Sequence, residues 1–138
     1  MAEETVKKVG KLVIVEDEES LRTMYATRFK QSGYEVQEAS NGADGLKLIR
    51  ETKPDLVLLD ILMPKVSGFD VLRELKADKD PAVSSIPVIF LTNLAEDAGF
   101  KQGQELGAAG YVMKVNRTPD ETVHYVNAVI GATKKASS

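Results

Sequence analysis

The chain contains no cysteine, which excludes disulfides, thiolate metal sites and cysteine nucleophiles. It has one histidine, His124, so a histidine-cluster metal centre is excluded as well. It also lacks an excess of positive charge: the formal net charge is −3, with none of the basic field that draws a protein onto nucleic acid or anionic lipid. No apolar run approaches the roughly 18 to 20 residues a membrane helix needs. The N-terminal "MAEETVKKVGK" lacks the apolar core of a secretory signal. These absences set the expectation of a cytoplasmic protein with no membrane and no nucleic-acid partner.

What is present is 138 residues with 43% hydrophobic content, enough for one domain with a real core. The ends, "MAEETVKK" and "TKKASS", are small and charged and read as solvated tails. The expected division is a tail over 1–10, a domain over 11–133 and a tail over 134–138. Within the domain, short apolar runs alternate with stretches of helical spacing, the pattern of a parallel sheet with crossover helices. Five units can be placed. The strands are "KLVIV", "YEVQEA", "DLVLLD", "IPVIFLT" and "GYVMK".

Between the strands, Leu21, Met24, Tyr25 and Phe29 share one helical face, and Gly33 stands where a left-handed stop belongs. Ala43, Leu46 and Ile49 mark a second helix ended by Pro54, and Val71, Leu72 and Leu75 a third. The fourth helix is weak, because Gly99, Gly103 and Gly107 each cost about 1 kcal/mol against alanine if helical. The fifth has Thr118 as N-cap, Pro119 at the first helical position and Glu121 three residues after the cap, with Val123, Val126 and Ile130 inward. His124 falls on its solvent side and is assigned no role. The fold class is α/β, a doubly wound five-stranded parallel sheet with five helices.

In such a sheet the strand C-termini share one edge, and ligands bind there. The residues delivered to that edge are Glu16, Asp17, Asp60, Thr92 and Lys114. Each alone has a plain structural explanation. Acids suit helix N-termini, a strand-end aspartate suits a turn, Thr92 suits an N-cap and a strand-end lysine points to water. Together they do not. Three crowded carboxylates repel unless a hard cation lies among them, and an oxygen-only ligand set fits Mg²⁺. A cation, a hydroxyl and an ammonium around Asp60 are complementary to a phosphoryl group carried by that carboxylate.

These residues resemble a response-regulator receiver domain of two-component signalling, in a stand-alone form similar to the chemotaxis and sporulation regulators. The resemblance covers about Lys11 to Thr133 and implies the flavodoxin-like strand order 2-1-3-4-5. Glu16 and Asp17 match the acidic pair, Asp60 in "LLDILMP" the phospho-acceptor, and Pro64 and Gly68 stand at the family's offsets. The resemblance makes Leu62 the donor of a backbone carbonyl to the metal, and Thr92 and Lys114 partners of the phosphoryl group. Tyr111 would be the aromatic that switches rotamer with Thr92. It implies Mg²⁺, for which Mn²⁺ can substitute, and phosphoryl transfer from a histidine kinase or histidine phosphotransfer protein. Output would pass to a downstream protein through the fourth helix, fifth strand and fifth helix, in a monomer or weak dimer through that face.

Two features depart from the family. Val115 follows Lys114 where the family has proline, and "DKDPAVSSIP" makes a longer loop before the fourth strand. Three other functions can be weighed. The first is a receiver-like interaction module without phosphorylation. The second is a Mg²⁺-dependent aspartyl-phosphate phosphatase, which needs a second acid where Leu62 stands. The third is a flavin carrier, whose phosphate "EDEES" would repel. Leu62 and Leu94, bulky and apolar beside the expected path of water to Asp60, predict a long-lived acyl phosphate.

Overall fold

A computed structural model of the chain describes residues 9–92, 96–114 and 117–137. Its strands are β1 (Gly10–Val15), β2 (Tyr34–Ala39), β3 (Leu56–Asp60), β4 (Val88–Thr92) and β5 (Gly110–Met113). They form one parallel sheet in the order β2-β1-β3-β4-β5, as the resemblance implies. The crossover helices are α1 (Glu19–Gln31), α2 (Gly42–Thr52), α3 (Gly68–Lys76), α4 (Glu96–Glu105) and α5 (Pro119–Ser137). A sixth helix, one turn over Pro81–Ser84, corrects the expected five. It forms inside the loop "DKDPAVSSIP" because Asp80 caps it, accepting from the Ala82 N–H at 2.9 Å, and Pro81 supplies a pre-set φ.

The sheet separates two apolar layers. Val13, Val15, Val57, Leu59 and Phe90 point to the side of α2 and α3, where Ile49, Leu72 and Leu75 cover them. Leu12, Ile14, Leu58, Ile89, Leu91 and Val112 point the other way, against Tyr25 and Phe29 of α1 and Val126 and Ile130 of α5. β3 lies at the centre and is buried throughout. Each of its apolar side chains contributes about 1.5–3 kcal/mol relative to exposure, which holds the Asp60 end of the strand in place.

The helix faces differ from the sequence pattern at two points. In α1, Met24 is 39% exposed and Ala26 takes the buried position. In α2, Ala43 is exposed, and Gly42, Gly45 and Ile49 are buried. The reason is close approach: a Cβ on Gly45 would lie 2.7 Å from Val15 Cγ2. α2 stops at Lys53, in the left-handed region at φ 47°, one residue before the proline expected to end it. Gly33, at φ 99°, follows α1 as expected. α5 starts on the expected cap, with Glu121 N–H donating to Thr118 Oγ1 and Thr118 N–H to Glu121 Oε1. Its backbone runs on to Ser137.

Candidate phosphoryl-acceptor site

Strand register brings the candidate residues to one level. Val15 pairs with Leu59 and Asp60 with Leu91, so Glu16 emerges beside Asp60. Thr92 pairs with Met113, and its carbonyl accepts the Lys114 N–H at 2.8 Å. Carboxylate oxygens of Glu16, Asp17 and Asp60 lie within 4.8 Å of one another. The Lys114 ammonium reaches into this cluster, 2.5 Å from Glu16 Oε1 and 3.5 Å from Asp60 Oδ2.

The three acids occupy different environments. Asp60 is 4% exposed and Glu16 1%, whereas Asp17 is exposed. Burial pushes the Asp60 carboxyl up to about 7; the Glu16 charge adds to the shift and the Lys114 charge opposes it. Burial alone would lower the Lys114 ammonium, but its hydrogen bond to Glu16 and the Asp60 charge outweigh it and hold the group above its usual range. Glu16 is held by more than charge. Its Oε2 accepts the Glu18 N–H at 3.1 Å, and its backbone carbonyl accepts Arg22 Nη1 at 2.9 Å.

The loop after β3 fixes the backbone at Asp60. Gly68 N–H donates to the Ile61 carbonyl at 2.9 Å, and a Cβ on Gly68 would fall 2.3 Å from the Asp60 carbonyl oxygen. Only glycine lets α3 begin so close to Asp60. Lys65 turns the loop in the left-handed region at φ 68°, where Val66 N–H bonds the Pro64 carbonyl at 2.7 Å. Leu62, two residues past Asp60, is 58% exposed.

Thr92 is fully buried at the end of β4. Tyr111 is half-buried in β5, paired with Phe90, and lines a cleft of about 200 Å³ with Gly103, Gln104, Ala108, Gly110 and Tyr125. Leu94 and Val115 lie outside the described residues, and with Val115 the peptide that follows Lys114. His124 is exposed on α5.

Sequence reasoning missed Arg22 and Tyr25. Arg22 also pairs with Glu38 at 3.4 Å and so ties the first acidic turn to β2. Tyr25 is buried behind the site, with its hydroxyl hydrogen-bonded to the Thr122 side chain; burial raises its phenol. Arg22 carried a signal, a basic residue within two turns of an acidic pair. Tyr25 reads as core from its helical spacing.

The chain belongs to the family of response regulator receiver domains, whose description matches residues 12–127. It is 41% identical over 127 residues to the "Probable transcriptional regulator ycf27" of Guillardia theta, covering 92% of this chain and 48% of that one. It is 39% identical over 131 residues to the phosphate regulon transcriptional regulatory protein PhoB of Pseudomonas aeruginosa, covering 94% and 56%. The chain thus spans about half the length of these curated relatives. Among solved structures, a putative response regulator from Chloroflexus aurantiacus superposes with a TM-score of 0.81 at 27% identity, covering 90% of this chain and 99% of that one. The chemotaxis protein CheY4 of Vibrio cholerae, with a TM-score of 0.79 at 24% identity over 86% of this chain and 97% of that one, shares the fold. These matches bear out the receiver family and do not single out its stand-alone form.

Receiver domains bind Mg²⁺ through acidic residues, and the donor set here fits such an ion. Three carboxylates present oxygens close together, and one of them is raised to about 7 by burial and a neighbouring negative charge. A cation held there relieves that cost.

Proposed function

We propose that this chain is a phospho-acceptor module that takes a phosphoryl group onto Asp60 from a histidine kinase or histidine phosphotransfer protein. The observation that carries the reading is the placement of Asp60. It is a buried carboxylate ending the central strand, beside two more acids and 3.5 Å from an ammonium.

An Asp60 oxygen attacks the phosphorus of a phosphohistidine, the N–P bond breaks, and the imidazole nitrogen leaves with the electron pair and is then protonated. Glu16, Asp17, Asp60 and the Leu62 carbonyl would hold Mg²⁺, or Mn²⁺ in its place. When bound, the ion supplies charge neutralisation for the incoming phosphoryl oxygens. Lys114 supplies a second positive charge, and the Thr92 hydroxyl a hydrogen bond to a phosphoryl oxygen. Burial of Asp60 keeps bulk water from competing with these donors.

The response is a shift between two conformations of one fold. Thr92 is drawn to the phosphoryl group and Tyr111 turns inward, changing the α4–β5–α5 face that a downstream protein reads. We take that face as the site of any weak self-association. The module is a signalling domain over 11–133, acting in the cytoplasm. Among the described residues no helix is long and apolar enough to cross a membrane. In chains such as the relatives named as transcriptional regulators, the same switch would act on what the rest of the chain does.

Incubation with a small acyl-phosphate donor and Mg²⁺, read by intact mass, tests the reading. One added phosphoryl group that is absent from Asp60→Asn supports it. No addition favours the interaction module without phosphorylation. Rapid turnover of an external phosphate ester would favour the phosphatase.

A further inference from the structure

The geometry points to a second route from the acceptor to α4, separate from the Thr92–Tyr111 pair and resting on the function proposed for Asp60: a packed line through Gly68, Phe69, Phe90 and Gly103. Gly68 is locked to the acceptor's own backbone. Its N–H bonds the Ile61 carbonyl, and any Cβ there would strike the Asp60 carbonyl oxygen and the Ile61 Cα. Movement of the Asp60–Ile61 peptide therefore moves the first turn of α3.

The next residue, Phe69, stands edge-to-face on Phe90, with ring centroids 5.3 Å apart and planes at 76°. Phe90 is wholly buried in β4, two residues before Thr92. The Phe90 ring also packs on α4: a Cβ on Gly103 would lie 2.9 Å from Phe90 Cδ2 and 3.0 Å from Cε2. Each neighbour in the line touches the next, from the Asp60–Ile61 peptide to the helix, and close-packed interiors transmit displacements.

Beside α4, toward β5 and α5, there is room. The cleft of about 200 Å³ is lined by Gly103, Tyr111 and Tyr125, so a helix pushed by Phe90 has space to shift into, and the space is shared with the Tyr111 ring. Gly103 thus has a definite role among the three glycines of this region. It lets α4 rest directly on the Phe90 ring. Gly107, at φ 92°, lies beyond the end of α4, and the surroundings of Gly99 fall outside the described residues.

The test measures amide hydrogen exchange over residues 96–105, with and without a small acyl-phosphate donor and Mg²⁺, while intact mass follows phosphorylation separately. The wild-type chain is expected to change its exchange over this segment when phosphorylated. Phe69→Leu is expected to be phosphorylated to the same extent and to lose most of that change. Ile130→Val, in the opposite layer, is expected to keep it. Linkage is reciprocal, so Gly103→Ala, which pushes on Phe90 from the helix side, is expected to change Mg²⁺ affinity by about 2-fold to 30-fold without touching a ligand.

An unchanged helix response in phosphorylated Phe69→Leu, or an unchanged Mg²⁺ affinity in folded Gly103→Ala, overturns the route and leaves Asp60 as acceptor. Absence of phosphorylation in the wild-type chain overturns the acceptor role instead, and the switching route with it.

Discussion

The Lys114 ammonium is bonded to Glu16 at 2.5 Å and stands off Asp60 at 3.5 Å. The lysine is thus anchored by Glu16 and only leans on Asp60, the residue that the proposed function makes the acceptor. An incoming phosphoryl group can recruit it without breaking a short bond to the nucleophile. Its closeness also explains how two nearly inaccessible carboxylates coexist: each has a cation within reach.

The pairing does not fully offset the burial of Asp60, and stability should depend on pH accordingly. The folded-state value of about 7 lies above the ordinary 3.8, so the native state holds a proton the unfolded chain releases. This contribution to stability is complete below pH about 4 and is lost as pH rises through about 7. In metal-free buffer the urea midpoint should fall between pH 5 and pH 8. Asp60→Asn should flatten that fall and be the more stable protein at pH 8.

Mg²⁺ should reverse the same penalty. Ligand binding to the native state alone stabilises by about 2.7 kcal/mol at a hundred times Kd, so thermal melts at pH 8 should shift upward with added Mg²⁺. Asp17 is exposed, and Asp17→Asn should leave metal-free stability within about 0.5 kcal/mol. The variant should lose most of the Mg²⁺-dependent shift. An unaltered shift would remove Asp17 from the ligand set.

Gly68→Ala addresses the seat of the acceptor. The new Cβ would meet backbone atoms of Asp60 and Ile61, which cannot turn aside as a side chain can. Overpacking of this kind costs about 1–3 kcal/mol, so chemical denaturation should show at least that loss. Phosphorylation by a small donor should slow in the folded fraction. Wild-type stability in the variant would show that the loop gives way more easily than its contacts indicate.

Leu62 bears on how long a phosphoryl group stays. It is apolar, two residues past Asp60 and 58% exposed, and the proposed function puts it beside the approach of a hydrolytic water to the acyl phosphate. Leu62→Asn should shorten the phosphoryl lifetime, measured by intact mass after the donor is removed. An unchanged lifetime would place the water's approach elsewhere.

The sequence made the sheet, and the convergence of Glu16, Asp17, Asp60 and Lys114 at its edge, legible because both depend on pattern. Four of the strands are apolar runs and one alternates, and Asp60 stands out as an acid ending the most apolar of them. The pairing inside the site was not legible, since it depends on side-chain reach. Nothing in the spacing of Glu16 and Lys114 tells that their bond is the short one. Helix faces failed where glycine replaced a side chain: Gly45 lies inward against Val15, and Ala43, the better apolar candidate by composition, is left outside. The single turn over Pro81–Ser84 was missed for a different reason. A four-residue helix has no periodicity to detect, although its Asp-Pro start was present.

The most direct measurement is identification of the modified residue. The chain is treated with a small acyl-phosphate donor and Mg²⁺, the acyl phosphate is reduced with borohydride, and peptide fragmentation locates the product. The account predicts homoserine at position 60 and none in Asp60→Asn. A reduced product at Glu16 or Asp17 instead, or none at any carboxylate of the folded chain, would contradict it.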